Sequence, residues 1–406
     1  MHKRNVTDAL HLQDGLYSVQ LADTRGVRWQ VCGAIWQTCV AADESPTVVA
    51  AIAAPATRWV TLTVTDKGYA APLAALLVRG LAARRNAGLG PLTLASCDNL
   101  AGNGRVLQAL CVQEARAHDV SLADWIDRAC VFPNSMVDRI VPAASATTLL
   151  QAQDGLGLAD HAALRTENFW EWVIERHFVD NRDAAVLASA GVQVVDDVRP
   201  FEDAKLRLLN GSHSAMACIG AVAGLPLIAD CIAQVPVRNF IHGLMTHEIG
   251  PLLQRPHWAD YRDALLLRFA NPHLQHSVHQ IASDSSLKVA LRWVPAAVAA
   301  LQAGLPVTRL AFCAAAWMRY CQGVDDAGQA YALSDPNADT LRSTARAHAA
   351  SASATFKHLG TLPAVWGDVL PQHPHWQSLV TDHLRSIQSH GLLASIAMLA
   401  AHPSQV

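Results

Sequence analysis

Residues 58–118 read RWVTLTV (58–64), APLAALLVRGLAARRNA (71–87), PLTLASC (91–97) and GRVLQALCVQEARAH (104–118), with short turn-forming segments between them. The first and third runs are short, apolar and β-rich, as buried strands require. The second and fourth repeat apolar residues at helical spacing. A strand-helix-strand-helix order predicts a parallel sheet within an α/β layer. Working upstream, Leu16–Leu21 and Trp29–Val40 read as strands and Pro46–Ala53 as a helix. Beyond about Ala144 the texture shifts to long Ala- and Leu-rich stretches with few strand signals, so a mainly helical second domain is expected. The expected boundary lies between 143 and 160, giving an α/β domain over 1–145 and a helical domain over 146–406. The Ala-rich segment 343–354 fits a helix better than a linker.

Composition excludes several classes. With 51% hydrophobic and 16% charged residues, the chain can bury an ordinary core and is not a disordered or solvating sequence. A formal net charge of −3, with basic residues scattered singly, gives no footprint for nucleic acid or an anionic membrane, so a small-molecule partner is expected. Nine cysteines without a Cys-x-x-Cys pair suggest neither a disulfide framework nor a zinc ribbon, and read as buried thiols in a reducing cytoplasm. Met1–Gly15 lacks the apolar core of a signal peptide. The longest apolar run, Ser214–Ala229, is broken by Gly220, Gly224 and Pro226 and falls short of the ~20 residues of a membrane helix. It reads as a core helix. The oligomeric state is left open.

Chemistry concentrates in Glu202-Asp-Ala-Lys205-Leu-Arg-Leu-Leu-Asn210-Gly-Ser-His213, where acid, amine, amide and imidazole crowd an otherwise apolar segment. Such groups are costly to bury unless they pair or react. The ordinary alternative is an i, i+3 surface ion pair of Glu202 with Lys205, and Ser212 as the cap of a helix starting near His213. A second cluster, Ser96-Cys97-Asp98-Asn99, ends a predicted strand, the edge at which open α/β sheets bind ligands. Turn chemistry is the alternative there. A third, Phe132-Pro-Asn134-Ser-Met-Val-Asp138-Arg139-Ile140-Val-Pro142, carries an Asp-Arg pair inside a strand-like run, which alone would be structural.

Together with Thr63-Val-Thr65-Asp66-Lys67-Gly68-Tyr69, Asp14-Gly-Leu-Tyr17, Trp172-Val-Ile174 and Arg268-Phe-Ala-Asn271-Pro272, these segments resemble the mannitol dehydrogenase family of long-chain polyol and sugar-acid dehydrogenases. Lys205, Asn210 and His213 meet its Lys-x4-Asn-x2-His pattern. The resemblance implies a Rossmann-like N-terminal domain, a helical substrate domain, a site in the cleft between them, and metal-independent hydride transfer with NAD. It assigns Lys205 as general acid and base, a role that suits a lysine whose pKa is lowered by burial. Asn99 and Asn210 become the amides that donate to the substrate carbonyl oxygen. Glu202 and Asp138 become the acidic groups leading from the lysine to solvent, and His213 a ligand of a substrate hydroxyl. Thr65 and Asp98 are candidates for cofactor contact.

Where polyol-oxidising members carry an arginine, this chain has Gln280, within His276-Ser-Val-His-Gln280-Ile-Ala-Ser-Asp284-Ser-Ser-Leu-Lys288, followed by Arg292. That pattern looks like the D-mannonate oxidoreductase (fructuronate reductase) branch. A uronate carboxylate needs a cationic partner, which Lys288 or Arg292 could supply. Mannitol, arabinitol and tagaturonate remain alternatives, as does a non-catalytic descendant acting as scaffold. The family's opening strand, Gly-rich turn, helix and second strand are not matched, so the Rossmann-like domain is expected to be incomplete. Gly88-Leu-Gly90, Gly102-Asn-Gly104 and Gly155-Leu-Gly157 read as turns. His273, His276 and His279 recur every third residue, but nothing completes a known zinc spacing, and no metal is expected.

Overall fold

The computed structural model describes residues 4–65, 68–142 and 144–401. Asp66 and Lys67, part of the Thr63–Tyr69 motif, lie outside the described residues. The chain forms two compact units, residues 1–202 and 203–406.

In the first unit the strands are β1 (Tyr17–Asp23), β2 (Gly26–Cys32), β3 (Trp59–Leu62), β4 (Thr93–Ser96), β5 (Ser135–Asp138), β6 (Leu164–Glu167), β7 (Glu171–Glu175) and β8 (Gln193–Val195). The expected parallel pair is there: β3 and β4 run in register from Trp59↔Thr93 to Leu62↔Ser96. Helix α1 (Ala71–Asn86) crosses between them, with Pro72 in its first turn, where a missing N–H costs nothing. Helix α2 (Asn103–Arg116) follows β4. Leu77 and Leu81 of α1, Leu92 and Leu94 around β4, and Leu107 of α2 form one buried core. Every residue of β4 is buried, whereas only Leu62 of β3 is, so the run 58–64 is a half-covered strand and not the buried one its composition suggests.

The other two sheets are mixed, not parallel. β1 and β2 form an antiparallel hairpin, β5 pairs antiparallel with β7, and β6 and β8 join in parallel to β1 and β7. The strand expected over Trp29–Val40 ends at Cys32 because its ladder partner β1 begins at Tyr17, opposite Cys32. The division of the chain also falls well beyond the expected 145/146 boundary. Through β6 and β7, residues 164–175 are built into the sheets of β1 and β5, and these strands of four and five residues are too short to show a period.

The second unit is helical. Helix α3 (Gly211–Ala223) is buried at every position from Gly211 to Val222 and stops at Gly224, whose φ of 70° suits a glycine, so the apolar run Ser214–Ala229 is a core helix only as far as Ala223, and its last two residues open another helix, Ile228–Ala233. Helices α4 (Ser285–Arg292) and α5 (Thr308–Tyr320) follow. A tryptophan ladder, Trp317, Trp366 and Trp376, with centroids 5.7 and 6.1 Å apart, packs beside α5. The Ala-rich segment 343–354 is split between two helices, Ala338–Ala347 and Ala352–Leu359, with the Ser351 hydroxyl capping the second. Among the described residues no helix is long and apolar enough to cross a membrane.

Candidate active site

The Lys205–His213 stretch folds through an unusual turn. Residues Lys205–Asn210 are π-helical, and the Gly211 N–H bonds to the carbonyl of Leu206, five residues back. In a regular α-helix, residues five apart lie about 140° apart around the axis. A wide turn absorbs one surplus residue, so Lys205, Asn210 and His213 align as positions i, i+4 and i+7 would in ordinary helix. The local structure thus gathers the Lys-x4-Asn-x2-His residues on one stripe. Lys205 is 8% exposed, a buried amine and not the surface group that the ordinary alternative takes it for. Ser212 is not a cap either, because the helix does not begin there: Asn210 and Gly211 already have right-handed helical geometry.

His213 is buried with its ring against Phe269 (centroids 4.7 Å apart) and His276 (5.6 Å). Burial, with Arg268 nearby, pushes His276 below its ordinary value, which favours the neutral ring. His279 packs instead on Tyr331, 5.2 Å between centroids, so His276 and His279 have different ring neighbours.

Arg292 does not simply face solvent. Its Nη1 donates to the Asn210 carbonyl at 3.0 Å and to the Ser214 hydroxyl at 2.8 Å. Burial pushes its guanidinium down to about 10. Trp293, the next residue, donates from Nε1 to the Gly211 carbonyl at 3.0 Å, so the end of α4 grips the wide turn twice. Lys288, one turn earlier, donates to the Ile281 carbonyl (3.0 Å) and the Ser283 hydroxyl (3.3 Å), and its pKa is lowered by burial and then by Arg292. Gln280 is exposed.

In the first unit, the C-terminal ends of β3 and β4 carry a second constellation. The Asp98 carboxylate is turned onto the chain itself, accepting from the Val64 N–H (3.0 Å), the Thr65 N–H (2.8 Å) and the Tyr69 hydroxyl (3.0 Å). It braces the loop after β3, where Thr65 has a φ of 62°, a conformation that costs a β-branched residue energy unless held. Tyr69 also meets the Ser96 hydroxyl, and burial pushes its own hydroxyl up to about 12. Asn99 is exposed on the following turn.

Asn103, to which sequence reasoning assigns no role, positions this edge. Fully buried, its amide donates to the carbonyls of Ser96 (3.2 Å), Asp98 (3.0 Å) and Ser135 (2.8 Å) and accepts from the Ser135 N–H at 2.9 Å, tying the ends of β4 and β5 together. Asp138 is buried at the far end of β5, opposite Glu171. Arg139 turns to the Thr166 hydroxyl and Glu167 carbonyl, on strand β6. Glu202 accepts from the Gly102 N–H at 3.3 Å, just ahead of α2, and burial raises its pKa. Gly102, with a φ of 60°, is a turn glycine as expected, whereas Gly104 lies inside α2, where it lets the carbonyls of Phe132 and Pro133 approach.

Comparison with known proteins agrees with this architecture. Residues 1–185 match the mannitol dehydrogenase Rossmann domain and residues 197–388 the mannitol dehydrogenase C-terminal domain. Mannitol 2-dehydrogenase of Phaeosphaeria nodorum is 37% identical over 97% of this chain and 73% of its own length. D-mannonate oxidoreductase of Escherichia coli is 35% identical over 98% of this chain and 87% of its own. Pseudomonas fluorescens mannitol 2-dehydrogenase, solved as a ternary complex with NAD and D-mannitol, superposes with a TM-score of 0.79 at 29% identity, covering 99% of this chain and 86% of that one. With a Rossmann-type first unit, a helical second unit and relatives of this similarity along nearly its whole length, the chain belongs to the mannitol dehydrogenase family, dehydrogenases that act on CH–OH groups.

Proposed function

We propose that the chain interconverts D-fructuronate and D-mannonate with NAD, using Lys205 as general acid and base. The observation that carries this reading is the wide turn that places a buried lysine, Asn210 and His213 on one stripe, with Arg292 bonded to the same turn. The parallel β3–β4 edge, with Thr65 exposed on a loop braced by Asp98, fits the side of a dinucleotide nearest its reacting ring. When bound, NADH supplies the hydride that reduces a ketone. Lys205 delivers the proton to the oxygen that becomes the alcohol, and takes it back in the oxidative direction. Asn99 and Asn210 donate hydrogen bonds to that oxygen as its charge develops, a task that other dehydrogenases give to a metal. Glu202 and Asp138 exchange the proton with solvent, and His213 holds a substrate hydroxyl. Arg292, with Lys288 one turn away, meets the uronate carboxylate.

A second reading, interconversion of mannitol and fructose, is favoured by the 37% identity with a mannitol 2-dehydrogenase. Steady-state rates with NADH and either D-fructuronate or D-fructose separate the two. A charge-assisted contact contributes about 1.5–3 kcal/mol, so kcat/KM for the uronate should exceed that for the neutral ketose by roughly tenfold to a hundredfold. Equal values for both would overturn the uronate assignment.

A further inference from the structure

Helix α4 carries both cations of the proposed carboxylate site, yet it has no capping side chain of its own. It starts at Asp284, whose φ is 52° and whose side chain makes no cap. The first turn is held from a distant loop. The Ser286 N–H and hydroxyl donate to the two carboxylate oxygens of Asp335, each at 2.8 Å, and the Ser285 hydroxyl donates at 3.3 Å. The Ser285 hydroxyl itself accepts from Trp317 Nε1 at 3.0 Å, and the Asp284 N–H donates to the Ser334 carbonyl at 2.7 Å. Nearby on the same loop, Tyr331 packs its ring on His279 and donates its hydroxyl to the Tyr320 carbonyl at 2.9 Å. The loop's own form also depends on Asp335, which accepts from the Asn337 N–H at 3.0 Å.

We propose that Asp335 is a positioning residue for substrate selection, a carboxylate that fixes the start of α4 and thereby the placement of Lys288 and Arg292 for an anionic substrate. This inference rests on the uronate reading above. Its physical basis is a lever: α4 is eight residues long, is held at its first turn by Asp335 and delivers Arg292 at its last. Loss of the cap frees the Ser286 N–H, the one backbone donor of α4 that Asp335 holds, and lets a short helix fray from that end. A cation displaced by 1 Å loses most of a paired contact while a neutral ketose, which makes no such contact, hardly notices. Asp335 also makes the last-ranked of the contributions that oppose the lowering of the Lys288 pKa by burial and Arg292.

The test uses the full chain, with kcat and KM measured for D-fructuronate and for D-fructose in wild type, Asp335→Ala, Asp335→Asn, Ser286→Ala and Arg292→Met, alongside amide exchange over residues 285–292. Asp335→Ala should lower kcat/KM for the uronate about tenfold, chiefly through KM, with little change for the neutral ketose and faster exchange at the start of α4. Asp335→Asn, which keeps a carbonyl acceptor, should recover part of the loss, and Ser286→Ala should reproduce a fraction of it. A loss of uronate preference in Arg292→Met without one in Asp335→Ala overturns this inference alone, even if exchange speeds up. No loss in Arg292→Met overturns the uronate reading and this inference with it.

Discussion

Arg292 and Asn210 are joined side chain to main chain, the guanidinium donating to the Asn210 carbonyl at 3.0 Å. Asn210 is the last residue of the wide turn, and the arginine adds a bond to its carbonyl from outside the helix. The residue proposed to recognise the substrate therefore also stabilises the turn that presents Asn210. Removing the guanidinium altogether, as in Arg292→Met, should consequently lower kcat for either substrate as well as raise KM for the uronate.

Replacing Lys205 by alanine should reduce turnover by at least about a hundredfold, the usual worth of a positioned acid and base. Cofactor affinity, followed by NADH fluorescence, should stay close to wild type. Wild-type turnover in Lys205→Ala would remove the lysine from the mechanism and leave Glu202 as the next candidate.

For Asn99 and Asn210, aspartate should be a worse replacement than alanine, because a carboxylate repels the oxygen as it gains charge. One lost donor at such a site typically costs about 10²–10³ in rate. Single-turnover measurements of Asn→Asp and Asn→Ala at both positions check the order. Activity in the aspartate variants equal to wild type rules the two-amide arrangement out.

A different carboxylate controls stability. Glu248 is fully buried and accepts from the N–H groups of Arg309 (2.7 Å) and Leu310 (2.9 Å) at the start of α5, yet burial pushes it from its ordinary 4.5 up to about 7. A raised acid is disfavoured in its charged form by folding. Stability from this group is thus fully present below pH 4.5 and declines as pH rises towards 7. The difference between 4.5 and about 7 corresponds to on the order of 3 kcal/mol. Urea denaturation across that window should show the decline in wild type and a flatter curve in Glu248→Gln. Identical curves would show that the group is already ionised throughout.

At Gly104 an added Cβ would come within 2.4 Å of the Phe132 carbonyl oxygen and 2.5 Å of that of Pro133, backbone atoms that cannot step aside. Gly104→Ala should destabilise the chain by about 1–3 kcal/mol, the usual cost of overpacking. It should also loosen the Asn134 amide oxygen, which accepts from the Gly104 N–H at 3.0 Å. A denaturation midpoint unchanged from wild type would contradict the crowding.

What the sequence revealed and what it hid follow from range. The stretch from Lys205 to His213 was legible because a fixed spacing of unlike polar groups in an apolar run is a local fact. The strand β4 and the helices around it were legible for the same reason, each repeating its pattern over enough residues. Asp335 was not legible, since a loop aspartate acquires meaning only from Ser285 and Ser286, some fifty positions away. Asp98 was noticed for its place at a strand end, but its use, bracing Val64 and Thr65, depends on how the loop after β3 folds beside the end of β4, for which no local pattern exists. The late division of the chain was hidden by β6, β7 and β8, whose partners come from far upstream or from each other.

The wide turn between Lys205 and Asn210 also has the form of an insertion preserved in the fold. When one residue enters a helix whose two ends are already gripped by packing, the excess has nowhere to go except around the axis, and a single i→i+5 turn is the result. The alignment of Lys205, Asn210 and His213 survives such a change because four-residue spacing in ordinary helix gives the same stripe. Deleting one residue among Leu206, Arg207, Leu208 and Leu209 would straighten the helix and leave that stripe intact, while shifting the Asn210 carbonyl with which Arg292 now bonds. Descendants of this segment can therefore change its length by one without scattering the three polar side chains, and a search that insists on four residues between lysine and asparagine would pass over them.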